Sequence, residues 1–111
     1  MAGKFELKTS SNGKFFFNLL ASNGQIILSS EMYESKASAL SGIESVKKNA
    51  GDAARYDKLD GGNGKWYFTL KAGNHQVIGK SQMYSIAASR DAGIDSVSAH
   101  AAGASTSDLS A

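Results

Sequence analysis

Asn12-Gly13-Lys14-Phe15-Phe16-Phe17 returns 51 residues later as Asn63-Gly64-Lys65-Trp66-Tyr67-Phe68. The correspondence runs without a gap from Asn12–Ala50 onto Asn63–Ala101, with about half of the positions identical. Matched residues include Gln25 and Gln76, Met32-Tyr33 and Met83-Tyr84, and Gly42-Ile43 and Gly93-Ile94. Self-similarity at such a period marks one supersecondary unit used twice.

Within the quoted stretch, Asn-Gly is turn chemistry and the aromatic run that follows alternates. Phe15, Phe17, Leu19 and Ala21 fall on one face of a strand, with Phe16, Asn18 and Leu20 on the other. The second copy identifies the core face, because Trp66, Phe68, Leu70 and Ala72 stay apolar while Tyr67, Thr69 and Lys71 do not. Upstream, Lys4-Phe5-Glu6-Leu7-Lys8 alternates with period two, the pattern of a half-buried strand. A two-residue Asn12-Gly13 turn would set Leu7 opposite Asn18 and expose it. A three-residue Ser11-Asn12-Gly13 loop sets Leu7 opposite Phe17 and Phe5 opposite Leu19. Burial of Leu7 selects the longer loop, whose last residue needs a positive φ; Gly13 and Gly64 occupy that place. The same register in the second copy sets Tyr56 opposite Leu70 and Lys58 opposite Phe68, and leaves Leu59 outward beside Tyr67.

Downstream, Ser22-Asn23-Gly24 predicts a turn and Gln25 to Ser30 a third strand. The second copy reads Gly73-Asn74-His75 and Gln76 to Ser81, so His75 is expected to take a left-handed backbone where the first copy has Gly24. Ser35 is a predicted N-cap for a helix over Lys36 to Asn49, with Ala39, Ile43, Val46 and Ala50 as its buried stripe and Gly51 as its stop. For the second helix the corresponding expectations are Ser85 as cap, Ala88, Ile94, Val97 and Ala101 as stripe, and Gly103 as stop. Gly42 and Gly93, mid-helix, predict a close approach to the sheet or to the other helix. Met32-Tyr33 and Met83-Tyr84 read as staples against the helix starts.

Each copy is therefore β-β-β-α. About 50 residues is close to the limit for a self-supporting core, so the copies are expected to share one. The expectation is a single α+β domain over residues 1–103, made of repeats 3–51 and 54–103: an antiparallel sheet with two helices and an approximate internal twofold axis. Residues 104–111, rich in Ser, Thr and Ala without a period, are predicted to form a disordered tail.

The signature Asn-Gly-Lys-aromatic-x-Phe-x-Leu-x-Ala, then Met-Tyr-x-x-x-Ala-Ser-x-x-x-Gly-Ile-x-Ser-Val, resembles the YegP-like family across Gly3 to Ala101. These are small, mostly bacterial proteins of unknown function, found as single-copy chains that dimerise or as tandem duplications. The resemblance implies a duplicated β-β-β-α unit and brings no catalytic residue with it.

Composition narrows the chemistry. Across 111 residues there is no cysteine, which excludes disulfides, thiolate zinc sites and a cysteine nucleophile. The net charge is only +2, all of it in the first 51 residues, too little to imply nucleic acid. No apolar run is long enough to span a membrane and no charged segment leads into an apolar one at the start, so a cytoplasmic protein with no membrane partner is expected. The two histidines, His75 and His100, have Gly24 and Asn49 as counterparts, which argues against a triad or metal site built into the repeat. Glu31 and Glu34 become Gln82 and Ser85. In Gly61-Gly62-Asn63-Gly64-Lys65 the lysine is followed by Trp66 and a strand, against a phosphate loop. No catalytic, metal-binding or cofactor-binding residue is expected, and no cofactor.

The outward strand face remains. Phe16, Leu20 and Ile27 fall there in the first copy, if the Asn23-Gly24 turn keeps Leu20 opposite Ile27; Tyr67, Lys71 and Ile78 match them in the second. The expected contact surface is Phe16, Leu20, Ile27, Tyr67 and Lys71, on a monomer with internal pseudo-twofold symmetry. A protein partner is favoured. Two alternatives stand: single-stranded nucleic acid, with Phe16 and Tyr67 stacking bases and Lys14, Lys65 and Lys71 meeting phosphates, and a second buried layer under a loop.

Overall fold

Period-two alternation becomes strand and the four-residue stripe becomes helix, in the order β1 (Lys4–Thr9), β2 (Phe15–Leu20), β3 (Ile26–Ser29), α1 (Lys36–Asn49), a 3-10 turn (Ala53–Arg55), β4 (Tyr56–Gly62), β5 (Lys65–Lys71), β6 (Val77–Lys80), α2 (Ala87–Ala101) and β7 (Ser105–Asp108). The structure, a computed structural model, describes residues 3–110. One seven-stranded sheet has the order β4-β5-β6-β3-β2-β1-β7. The two repeats meet at its centre, where Ser29 of β3 pairs antiparallel with Lys80 of β6. These residues are each other's repeat equivalents, so the internal pseudo-twofold axis passes between them.

The first hairpin has the register that burial of Leu7 demands: Phe5 lies opposite Leu19 and Leu7 opposite Phe17. Its three-residue loop is closed by the Ser10 N–H donating to the Lys14 carbonyl at 2.8 Å, with Gly13 at φ 81°. The second hairpin pairs Tyr56 with Leu70, Lys58 with Phe68 and Leu59 with Tyr67, as expected. Its tip differs. A bulge after Asp60 brings Gly62 opposite Lys65 and leaves a two-residue Asn63-Gly64 turn, both residues at positive φ, so Gly64 ends a two-residue rather than a three-residue connection. His75 takes φ 69° where Gly24 takes 85°, the left-handed backbone expected of this position.

Both helices lie on the Phe17/Phe68 face and both repeats contribute to one core. Phe5, Phe17, Leu19, Leu28, Ile43 and Val46 from the first join Phe68, Leu70, Val97 and Ala101 from the second in a single buried cluster. Each helix also reaches across the axis, α1 onto β5 and β6 and α2 onto β3. The mid-helix glycines answer to tyrosine: a Cβ on Gly42 would collide with the Tyr33 hydroxyl, and one on Gly93 with that of Tyr84. Each tyrosine is fixed by a two-way backbone bridge, Tyr33 to Phe15 and Tyr84 to Trp66. The staple is therefore tyrosine alone; Met32 and Met83 are each about half exposed, with the Met83 sulfur beside Gly61.

Four expectations are corrected. The tail is not disordered through 110: β7 runs parallel to β1, with the Leu109 N–H donating to the Leu7 carbonyl at 2.8 Å and Lys36 Nζ 3.0 Å from Asp108 Oδ2. Ala111 lies outside the described residues. That one parallel pair makes the sheet mixed rather than antiparallel. Ser85 does not cap α2, because the N-cap position falls on Ile86, the equivalent of Ser35, where no side chain can accept. Ser35 itself accepts from the Ser38 N–H at 3.1 Å. Ala88 is exposed, since the place of Ala39 in the stripe belongs to Arg90, whose guanidinium lies 5.3 Å from the Trp66 ring centroid.

Candidate contact surface

Because both helices pack on one side, the opposite side of the sheet is formed by outward side chains alone. The alternation that buries Phe17 and Phe68 sends Lys4, Glu6 and Lys8 of β1, Phe16, Asn18 and Leu20 of β2, Asp57 and Leu59 of β4, and Tyr67, Thr69 and Lys71 of β5 to this face. Phe16, Leu20, Tyr67 and Lys71 are each half-buried there. Asn18 and Thr69, in the middle of their strands, are nearly covered by their neighbours.

Ile27 does not belong to the surface. A bulge between Leu19 and Leu20 sets Ile26, not Ile27, opposite Leu20. Ile27 is 7% exposed and joins the buried cluster, while Ile26 is left 44% exposed. Ile78 is buried in the same way, with Val77 opposite Lys71. The bulge was invisible in the alternation, since one extra residue reverses every side chain beyond it.

The electrostatics of this face are local. Glu6 lies between Lys4 and Lys8, at 3.6 and 3.8 Å, and Lys71 meets Asp57 at 3.0 Å. Lys14 meets Glu34 at 3.0 Å. Lys80 places its ammonium 5.0 Å from the Tyr67 ring centroid, a cation-π contact that occupies one face of the ring. Of the lysines that the nucleic-acid reading needs, Lys14 and Lys71 are thus each held by a carboxylate.

Elsewhere, a cleft of about 280 Å³ opens between β4 and α2, lined by Ala53, Tyr56, Lys58, Asp91, Ile94 and Asp95. The Tyr56 hydroxyl donates to the Ala50 carbonyl at 2.7 Å; burial, and then the nearby Asp95 charge, push its pKa up. His100 Nδ1 contacts the Ser96 carbonyl at 2.7 Å, within its own helix. Among the described residues no group of three or more His, Cys, Asp or Glu side chains is placed to hold a metal ion, and no helix is long and apolar enough to cross a membrane.

Comparison with known proteins agrees with this architecture. A model of a domain of unknown function, DUF1508, matches twice, over residues 10–57 and 62–108. The UPF0339 protein YegP of Escherichia coli K12 is 56% identical over 100 residues, covering 90% of this chain and 91% of that protein. A UPF0339 protein encoded in the 5′ region of the ptx operon of Stutzerimonas stutzeri is 55% identical over 101 residues, 91% of each chain. Two solution NMR structures superpose with TM-scores of 0.94. One is a UPF0339 protein from Shewanella oneidensis, 51% identical, covering 99% of this chain and 93% of that one; the other is YegP from E. coli, described as a protein of unknown function, 52% identical, covering 99% and 95%. No catalytic family is indicated by any of these relatives. With the repeat, the fold and the sequence in agreement, the chain belongs to the DUF1508 family, of which it carries two copies in tandem.

Proposed function

We propose that the protein is a non-catalytic interaction module that binds another protein on the helix-free face of its sheet. The observation that supports this reading is the outward placement of apolar side chains in both repeats, Phe16, Leu20 and Ile26 on β2 and β3 and Tyr67 on β5, beside lysines of which Lys14 and Lys71 meet Glu34 and Asp57 and Lys4 and Lys8 share Glu6. A surface for single-stranded nucleic acid needs free cations to replace the phosphate counterions and free aromatic faces to stack on. Here Lys14 and Lys71 are countered and the Tyr67 ring already carries Lys80, which leaves Lys65 as the one cation of that reading without a carboxylate partner among the described residues. A partly apolar surface on which most of these lysines are met by carboxylates suits a protein contact better.

Titration of the isotope-labelled chain with oligo-dT and oligo-U tests the choice. The expected result is no saturable amide shift in residues 14–20 and 65–71, together with a Phe16→Glu variant that stays folded and loses proteins recovered by the wild type. Saturable shifts weakened by about 1–3 kcal/mol in Tyr67→Ala would establish the nucleic-acid platform instead. Unfolding of Phe16→Glu would place Phe16 in the core and remove both readings.

A further inference from the structure

The two ends of the sheet are not equivalent. At one end β7 lies outside β1, held by the Leu109 N–H on the Leu7 carbonyl, by the Thr9 hydroxyl on the Ser110 carbonyl at 3.2 Å, and by Asp108 on Lys36. At the other end β4, the repeat equivalent of β1, is the last strand, and no described segment lies beyond it. The internal twofold therefore carries the position of β7 onto an open edge. Lys58 is the equivalent of Leu7, so its carbonyl turns outward there, as the Leu7 carbonyl turns to β7. The cleft of about 280 Å³ opens directly beside this edge.

We propose that the β4 edge accepts an extended segment of a partner protein, parallel to β4, in the place that β7 fills at β1, and that a lysine or arginine of this segment enters the cleft. The register follows from β7. Thr106 lies opposite Phe5, on the helix side of the sheet, and the equivalent of Phe5 is Tyr56, which lines the cleft. The second residue of an incoming strand thus points between β4 and α2. Lys58, Asp91 and Asp95 line the cleft. Their equivalents in the first repeat are Leu7, Leu40 and Glu44, so the acid at Asp95 is common to both copies while a Lys58–Asp91 ion pair stands where the first has two leucines. Asp91 is paired with Lys58 and Arg90, each at 3.3 Å, whereas Asp95 has no ion pair among the described residues. A cationic side chain in the cleft would meet Asp95, while main-chain hydrogen bonds to the edge would supply sequence-independent affinity. Lys58, Asp60 and the Gly61-Gly62 bulge guard β4 against pairing with a second copy of itself, as edge strands commonly do.

This surface is separate from the open face and stands or falls apart from it. The test is a titration of the full-length labelled chain with a synthetic peptide of residues 104–109 carrying Thr106→Lys, beside the same peptide with threonine retained. Saturable shifts in residues 55–60 and 91–95, with residues 14–20 and 65–71 unmoved, are expected. Affinity should fall on the order of tenfold in Asp95→Asn and with the threonine peptide, and a proline at position 107 of the peptide should abolish binding by removing a backbone donor. No saturable shift, or shifts confined to residues 4–9 as the peptide displaces β7, would overturn the proposal. Concentration-dependent broadening of β4 signals without peptide would also overturn it, by showing that a second copy occupies the edge.

Discussion

Repeat one and repeat two share their strand order, hairpin register and helix placement, yet they differ wherever symmetry would have set a residue against its own image. Leu28 and Gly79 are equivalent positions beside the pseudo-twofold axis. A Cβ on Gly79 would come within 2.6 Å of Leu28 Cδ2. There is room for one leucine and not for two. In a symmetric dimer of single copies both positions would have to be the same residue, whereas a tandem chain can make one large and the other absent. The helix caps show a similar release, with a serine that accepts a hydrogen bond in one copy and an isoleucine that cannot in the other. So do the sheet ends, one covered by β7 and one bare. Duplication kept what both copies need in order to fold together and let the rest diverge.

The axis pair offers the largest effect with which to break this comparison. Leu28→Ala should cost about 2–5 kcal/mol by leaving a cavity, and Gly79→Leu about 1–3 kcal/mol by overpacking the same space. Combined, the two should cost clearly less than their sum in denaturant melts, because each relieves the other. Additive costs would mean that the positions do not share a volume.

The caps are next. Ser35→Ala should destabilise by about 1 kcal/mol, while Ile86→Ser should stabilise by a similar amount, since it supplies the acceptor that α2 lacks. Thermal midpoints moving in opposite directions would sharpen the contrast between repeats; a neutral Ser35→Ala would erase it.

The smallest effect concerns β7. Hydrogen bonds from the Ser110 hydroxyl and N–H, and then Lys36, pull the Asp108 carboxyl down to about 2. This value lies below that of a free aspartate, about 3.9. The Ser110 bonds form within the tail itself, so the Lys36 contact is what ties the ionised carboxyl to docking; through it ionised Asp108 favours the docked strand above pH ~4, and the contribution is lost as pH falls toward 2. Amide exchange of residues 105–109 should accelerate across that window, and Lys36→Ala should shift the midpoint upward. Exchange that is flat with pH would show that backbone pairing with β1 alone holds the strand.

By itself the sequence determined the duplication, the β-β-β-α unit, the Phe5/Leu19 and Leu7/Phe17 register, the left-handed backbone at His75 and the core face of β1, β2, β4 and β5. All of these follow from turn chemistry and from which residues must leave water, and the second copy served as an independent reading of the first. The candidate surface was legible in part: Phe16, Leu20, Tyr67 and Lys71 reach the outer face by simple alternation. Ile27 did not, because a bulge exchanged it with Ile26, and a bulge is set by how two strands fit rather than by either alone. The tertiary structure alone decided β7. Ser105-Thr106-Ser107-Asp108 has no apolar face and no period; it becomes a strand because β1 presents an edge of unpaired backbone groups and Lys36, 72 residues away in the chain, presents a charge to Asp108. Such a strand is made by its neighbours, and its own residues carry no signal of it.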